Sequence, residues 1–139
     1  MQVHFKACSM TIVIFSLRVS RYPVLLGLLT EKRMRDEICL VLTTCPDENS
    51  AERLAEVLVE QRLAACVSAG SPAVSTYPWK GKVERESEIP LTIKTVRNRV
   101  SRLTETLVAH HPYEVPEVLV LPVAEGLDAY MDWIRNWLK

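Results

Sequence analysis

"ICLVLTTCPDENSAERLAEVLVEQRLAACVS", Ile38 to Ser68, changes its periodicity twice. Ile38 to Cys45 is a β-rich apolar run that ends at Pro46. Ala51, Leu54, Ala55 and Leu58 then recur at helical spacing, i, i+3, i+4, i+7. Asp47 or Asn49 is the expected N-cap, and Asn49 with Glu52 has the form of a capping box. From Ala65, "ACVSAGSPAVSTYPW" returns to strand character, with an irregular middle marked by Gly70 and Pro72. The stretch therefore reads strand, helix, strand.

Working outward, "WKGK" (Trp79–Lys82) is a tight turn into a second strand, "VERESEIPLTIKT", and the two make a long hairpin. Pro90 has no N–H to give a ladder, so a bulge or an edge is expected there. Val96, Val100, Leu103 and Leu107 recur at steps of four, three and four, which makes a second helix. It ends at His110 and His111, because Pro112 cannot continue it and disfavours helical geometry just before itself. "EVLVLPV" is a last strand. Leu127, Tyr130, Met131, Ile134 and Leu138 mark an amphipathic closing helix that also carries Trp133 and Trp137. The order β-α-β-β-α-β followed by a helix is an α+β, ferredoxin-like pattern over residues 37–139.

"ICLVL" and "VLVLPV" are apolar on both faces, whereas the two main helices of such a sheet cover only one. A continuous apolar strand needs cover on both sides. At ~25 cal/mol per Å² of apolar surface, leaving several Val, Leu and Ile side chains wet costs several kcal/mol. The closing helix is too short to cover them all, so further copies of the chain are the expected cover.

The bulk composition narrows the function. The 139-residue chain has 17 basic and 17 acidic residues and no net charge. Without a long-range field it is a poor candidate for nucleic acid or anionic lipid. Four cysteines, at 8, 39, 45 and 66, form no CxxC and no zinc-ribbon spacing, which suits reduced thiols in the cytoplasm. Residues 1–36 stand apart. "SMTIVIFSL" and "VLLGLL" are too short to span a bilayer and are interrupted by Arg18, Arg21 and Pro23. No small-residue cleavage site follows them. The expectation is a dispensable or poorly ordered extension, or a start placed upstream of Met34; a membrane-associated leader is the alternative. No nucleophile elbow, P-loop or dinucleotide fingerprint occurs, so no enzyme is expected.

"HHPYEVPE", His110 to Glu117, holds the most chemistry. Adjacent residues at a helix end point roughly 100° apart, so His110 and His111 chelate poorly without a third ligand. A purely structural role also fits, since histidine in a last turn meets the negative end of the helix dipole.

The stretches Thr43–Ser68, Ser75–Thr95, His110–Val123 and "GLDAYMDWI" together resemble the CutA family, the divalent-cation tolerance proteins. The resemblance runs from about Ile38 to Leu138. It implies a ferredoxin-like subunit in a homotrimer, with long hairpins reaching to neighbours. It also implies copper, with other divalent cations held more weakly, and an architecture similar to the PII signalling trimers. The implied copper ligands are the two histidines and a cysteine two residues before Cys45. Thr43 stands at that position here. Cys45, on the same face of the strand, is the candidate replacement; otherwise the thiol ligand is missing and an imidazole-only site remains. Trp79, Lys94, Tyr113, Glu114 and Glu117 are the candidates for a pocket between subunits that takes a small molecule or a partner. A structural ion pair between Lys94 and Glu117 is the plainer reading.

Overall fold

The computed structural model describes Met34 and residues 36–139. The expectation for residues 1–36 therefore lies outside the described residues, Met34 and Asp36 apart. Five strands and three α-helices follow: β1 Ile38–Cys45, α1 Glu48–Glu60, β2 Cys66–Ala69, β3 Ala73–Trp79, β4 Lys82–Val96, α2 Val100–His110, β5 Leu119–Pro122 and α3 Asp128–Trp137. The sheet runs β2-β4-β1-β5, antiparallel throughout, and β3 continues the pairing along β4. This is the ferredoxin-like order expected of a split βαβ chain.

The helix cap differs in detail from the sequence expectation. Asp47, extended at the N-cap, takes the Ser50 N–H on its carboxylate at 2.7 Å. The Asn49–Glu52 box is not the cap. Bonds from Ser50 hold the Asp47 carboxyl below its ordinary range, the backbone N–H contributing most.

The stretch read as one strand from Ala65 to Trp79 is two. Ala69 pairs with Leu91, whereas Ala73 pairs with Glu88, so β2–β3 carries one residue more than β4 across that interval. The bulge lies opposite Pro90. Gly70 N–H donates to the Pro90 carbonyl at 2.8 Å. A residue's N–H and C=O point to the same neighbour in an antiparallel pair. The donor that Pro90 lacks therefore falls on the interrupted side, and pairing with β1 continues through Thr44 unbroken. The hairpin turns at Lys80 and Gly81, with φ of 48° and 80°, as a two-residue loop with both central residues left-handed.

One face of the sheet is closed. Val41, Cys45, Leu91 and Ile93 pack under Leu54 and Leu58 of α1 and Leu103 and Leu107 of α2. Among the described residues the other face is covered at one end only. Met131 and Ile134 of α3 and Leu138 at its C-cap pack on Ile38 and Val96, which share a face with Leu40, Leu42 and Lys94. Beyond α3, Leu40 and Leu42 stay half-buried and their β5 partners Leu121 and Leu119 are 42% and 54% exposed. Leu127 and Tyr130, read as part of the inward stripe, are exposed together with Trp133 and Trp137. Tyr130, Trp133 and Trp137 occupy a flank of α3 roughly 100° from the buried stripe, with the Arg62 guanidinium 4.8 Å from the Trp137 ring centroid, whereas Leu127 is the N-cap residue just before the helix.

Candidate functional site

Three segments meet at the end of β1: the strand itself, the C-terminus of α2 and the hairpin wall. His111 is the C-cap residue of α2, buried at 9% exposure, and it turns inward. Its Nε2 lies 2.8 Å from the Thr44 carbonyl oxygen and 3.7 Å from Cys45 Sγ. A carbonyl only accepts, so Nε2 carries the proton. Nδ1 in turn accepts the Tyr113 N–H at 3.1 Å. Both ring nitrogens of His111 are therefore engaged.

His110 faces the other way. Its Nδ1 donates to the Thr106 carbonyl at 2.8 Å, which leaves the Nε2 lone pair free in an exposed groove of about 200 Å³ shared with Arg53, Glu56 and Val57 of α1. The histidine pair thus diverges, as adjacent positions at a helix end require. Cys45 joins His111 and not His110. Burial, with the charges of Asp47 and Glu88 adding, pushes the Cys45 thiol up to about 11, so it is a protonated thiol at neutral pH. Among the described residues no cluster of three or more His, Cys, Asp or Glu is arranged to hold a metal ion.

Thr43 sits under the helices, 1% exposed, with a hydroxyl that has no hydrogen-bond partner among the described residues. A thiol in its place would be a core side chain.

The five pocket candidates divide. Trp79, Tyr113 and Glu114 line one groove of about 570 Å³ between the β3–β4 hairpin and residues 112–115, together with Tyr77, Glu84 and Glu86. Lys94 lies on the open sheet face and donates to Ser68 Oγ and to the Thr92 carbonyl, and Glu117 is exposed; neither lines the groove. Among the described residues the ion pairs are Arg97–Glu37 and Arg135–Asp132, so Lys94 and Glu117 are not paired with each other. Glu84 and Glu86 were missed from sequence, and Tyr77, an aromatic of the hairpin tip suited to a subunit interface, was not counted with the pocket. Glu84, Glu86 and Glu88 alternate in "VERESE", a period-two signal that puts three carboxylates on one face of a strand. Tyr113 is held above its ordinary range by burial and then by contact with Glu88; Tyr77 is raised by burial and by Glu86.

Residues 39–137 match the protein family described as CutA1 divalent ion tolerance protein. A human protein named Protein CutA is 44% identical over 99 residues, 71% of this chain, and the chain spans 55% of that relative's length. The crystal structure of CutA from Xylella fastidiosa aligns at TM-score 0.73 with 45% identity, covering 74% of this chain and 99% of that one. The structure of the periplasmic divalent cation tolerance protein CutA from Archaeoglobus fulgidus aligns at TM-score 0.72 with 31% identity, covering 73% and 99%.

Proposed function

The chain belongs to the CutA1 divalent ion tolerance family, and from that premise we propose that it is a homotrimer that binds divalent copper weakly through imidazole. One observation carries the copper reading: the exposed Nε2 lone pair of His110, freed by the bond from Nδ1 to Thr106. Copper(II) outranks other divalent first-row ions at nitrogen ligands, so other cations are held more weakly. Cys45 and His111 add ligands only by giving up a proton and two hydrogen bonds, which limits the affinity to the micromolar range or weaker.

The half-covered sheet supports the trimer. Fully burying a leucine is worth roughly 1.5–3 kcal/mol, so covering the exposed half of Leu119 and Leu121 returns about 1 kcal/mol each per protomer. Cys39, Cys45 and Cys66 are free thiols, which supports a cytoplasmic setting. Among the described residues no helix is long and apolar enough to cross a membrane.

Calorimetric titration with copper(II) tests the reading on the wild type, His110→Ala and the His110→Ala/His111→Ala double variant. Loss of most of the heat in His110→Ala is expected. Indistinguishable heats from all three proteins refute it.

The groove under Trp79 favours a second reading, a PII-like signalling or scaffold trimer that takes a small molecule or a protein partner.

A further inference from the structure

We propose that the groove between the β3–β4 hairpin and residues 112–115 is a site for a small organic cation, an amine or a guanidine. This rests on the second reading above, that the groove is a ligand site, and it specifies the ligand's charge and chemistry. The groove, about 570 Å³, falls within the size range of small-molecule sites. Its walls combine carboxylates and aromatic rings: Glu84, Glu86 and Glu114 with Tyr77, Trp79 and Tyr113. No basic side chain among the described residues lines it. Among the described residues none of these carboxylates is in an ion pair.

Two further observations point to the same ligand chemistry. Glu88 is 6% exposed and touches Tyr113, yet among the described residues it too has no cationic partner. It shares a hydrogen bond with the Tyr113 hydroxyl, and its carboxyl extends the acidic face of β4 behind the groove wall. The chain also supplies a cation of its own: the Lys80 ammonium stands 5.8 Å from the centroid of the Trp79 ring. An aromatic face with carboxylates around it attracts ammonium and guanidinium groups through the ring quadrupole.

An inorganic cation is the weaker candidate. Rings offer no ligand lone pair, and among the described residues no convergent set of metal ligands exists. An anion meets three carboxylates and no positive group in the lining. Tyr77 and Tyr113, held protonated by burial and the surrounding carboxylates, add neutral walls and donors for any polar tail.

The test is calorimetry on the assembled protein with spermidine and arginine amide as organic cations, magnesium as an inorganic one, and glutamate and glucose as anionic and neutral probes. Saturable binding of spermidine or arginine amide, with none of magnesium, is expected. Neutralising a half-exposed carboxylate weakens such binding roughly fivefold, so Glu84→Gln/Glu86→Gln is expected to weaken it by more than tenfold. Trp79→Ala is expected to abolish it. These substitutions lie on the hairpin, and Glu105→Gln, an exposed carboxylate of α2 outside the groove, is expected to leave spermidine binding unchanged. Binding of glutamate or glucose that Trp79→Ala removes, with none of the organic cations, keeps the groove as a ligand site and overturns its cationic character. No binding of any probe overturns both. Organic-cation binding that both hairpin variants leave intact overturns the location.

Discussion

Two buried threonines on the helix-covered face of the sheet should respond to the same substitution with opposite signs. Thr43 and Thr95 are 1% and 0% exposed, on adjacent strands β1 and β4. Thr95 Oγ1 donates to the Leu63 carbonyl at 2.6 Å, fixing the loop after α1 to the sheet. Thr43 Oγ1 has no partner among the described residues. Valine has nearly the same shape, so neither replacement opens a cavity and the polar group decides the outcome. Mutational data put a buried hydroxyl without a bond at roughly 1–3 kcal/mol, so Thr43→Val should stabilise by about 1–2 kcal/mol. Thr95→Val breaks a bond and strands a buried carbonyl, which should cost about 1–3 kcal/mol. For a folded unit of this size, 1 kcal/mol moves the thermal midpoint by about 4 °C. Urea and thermal unfolding of the three proteins, at matched concentration so that assembly contributes equally, gives the ordering. Thr43→Val above the wild type and Thr95→Val below it is the expected order. A destabilised Thr43→Val would mean that the hydroxyl has a partner, and position 43 would return to consideration as part of a polar site.

Three other outcomes follow from local geometry. Asp47 has its carboxyl lowered on folding by bonds from Ser50, so its contribution is complete above the unfolded value near 3.9 and fades as pH falls through the folded one. The stability gap between wild type and Asp47→Asn should therefore shrink steadily below about pH 4, as read from thermal midpoints across a pH series. Cys45, with its thiol pushed up to about 11, has about a hundredfold less thiolate at pH 8 than an ordinary cysteine, and it is also buried. Its modification by a disulfide reagent, followed by mass spectrometry, should track global unfolding; rapid labelling of the native protein would contradict its placement. A Cβ at Gly70 would lie 2.9 Å from Pro90 Cγ, in a ring held within a central strand. Gly70→Ala should cost about 1–3 kcal/mol in urea unfolding, whereas Gly126→Ala meets only the flexible end of Met131 and should cost less.

The fold was legible because the periodicities are clean. Leu54 and Leu58 of α1, Leu103 and Leu107 of α2, and the apolar run of β1 are where the pattern puts them. Pro90 signalled its bulge, because a missing N–H has few places in a sheet. α3 was harder to read. It is apolar around much of its circumference, so the inward stripe of Met131, Ile134 and Leu138 could not be separated from the exposed Leu127 and Tyr130 by spacing alone. At the candidate site, sequence identified the histidines but not their directions. These depend on Thr106 and Thr44, one in the preceding turn and one on a strand 67 residues away. The acidic groove was overlooked because nothing within the strand "VERESE" itself shows what stands opposite Glu84 and Glu86. Only the approach of residues 112–115 makes them a wall.

The half of the sheet left uncovered by the described residues is the feature on which the proposed trimer rests, and molar mass tests it most directly. Light scattering coupled to size exclusion should give three times 15.8 kDa at micromolar protein, because Leu40, Leu42, Leu119 and Leu121 need cover. A stable, fully folded particle of 15.8 kDa under the same conditions would contradict the account.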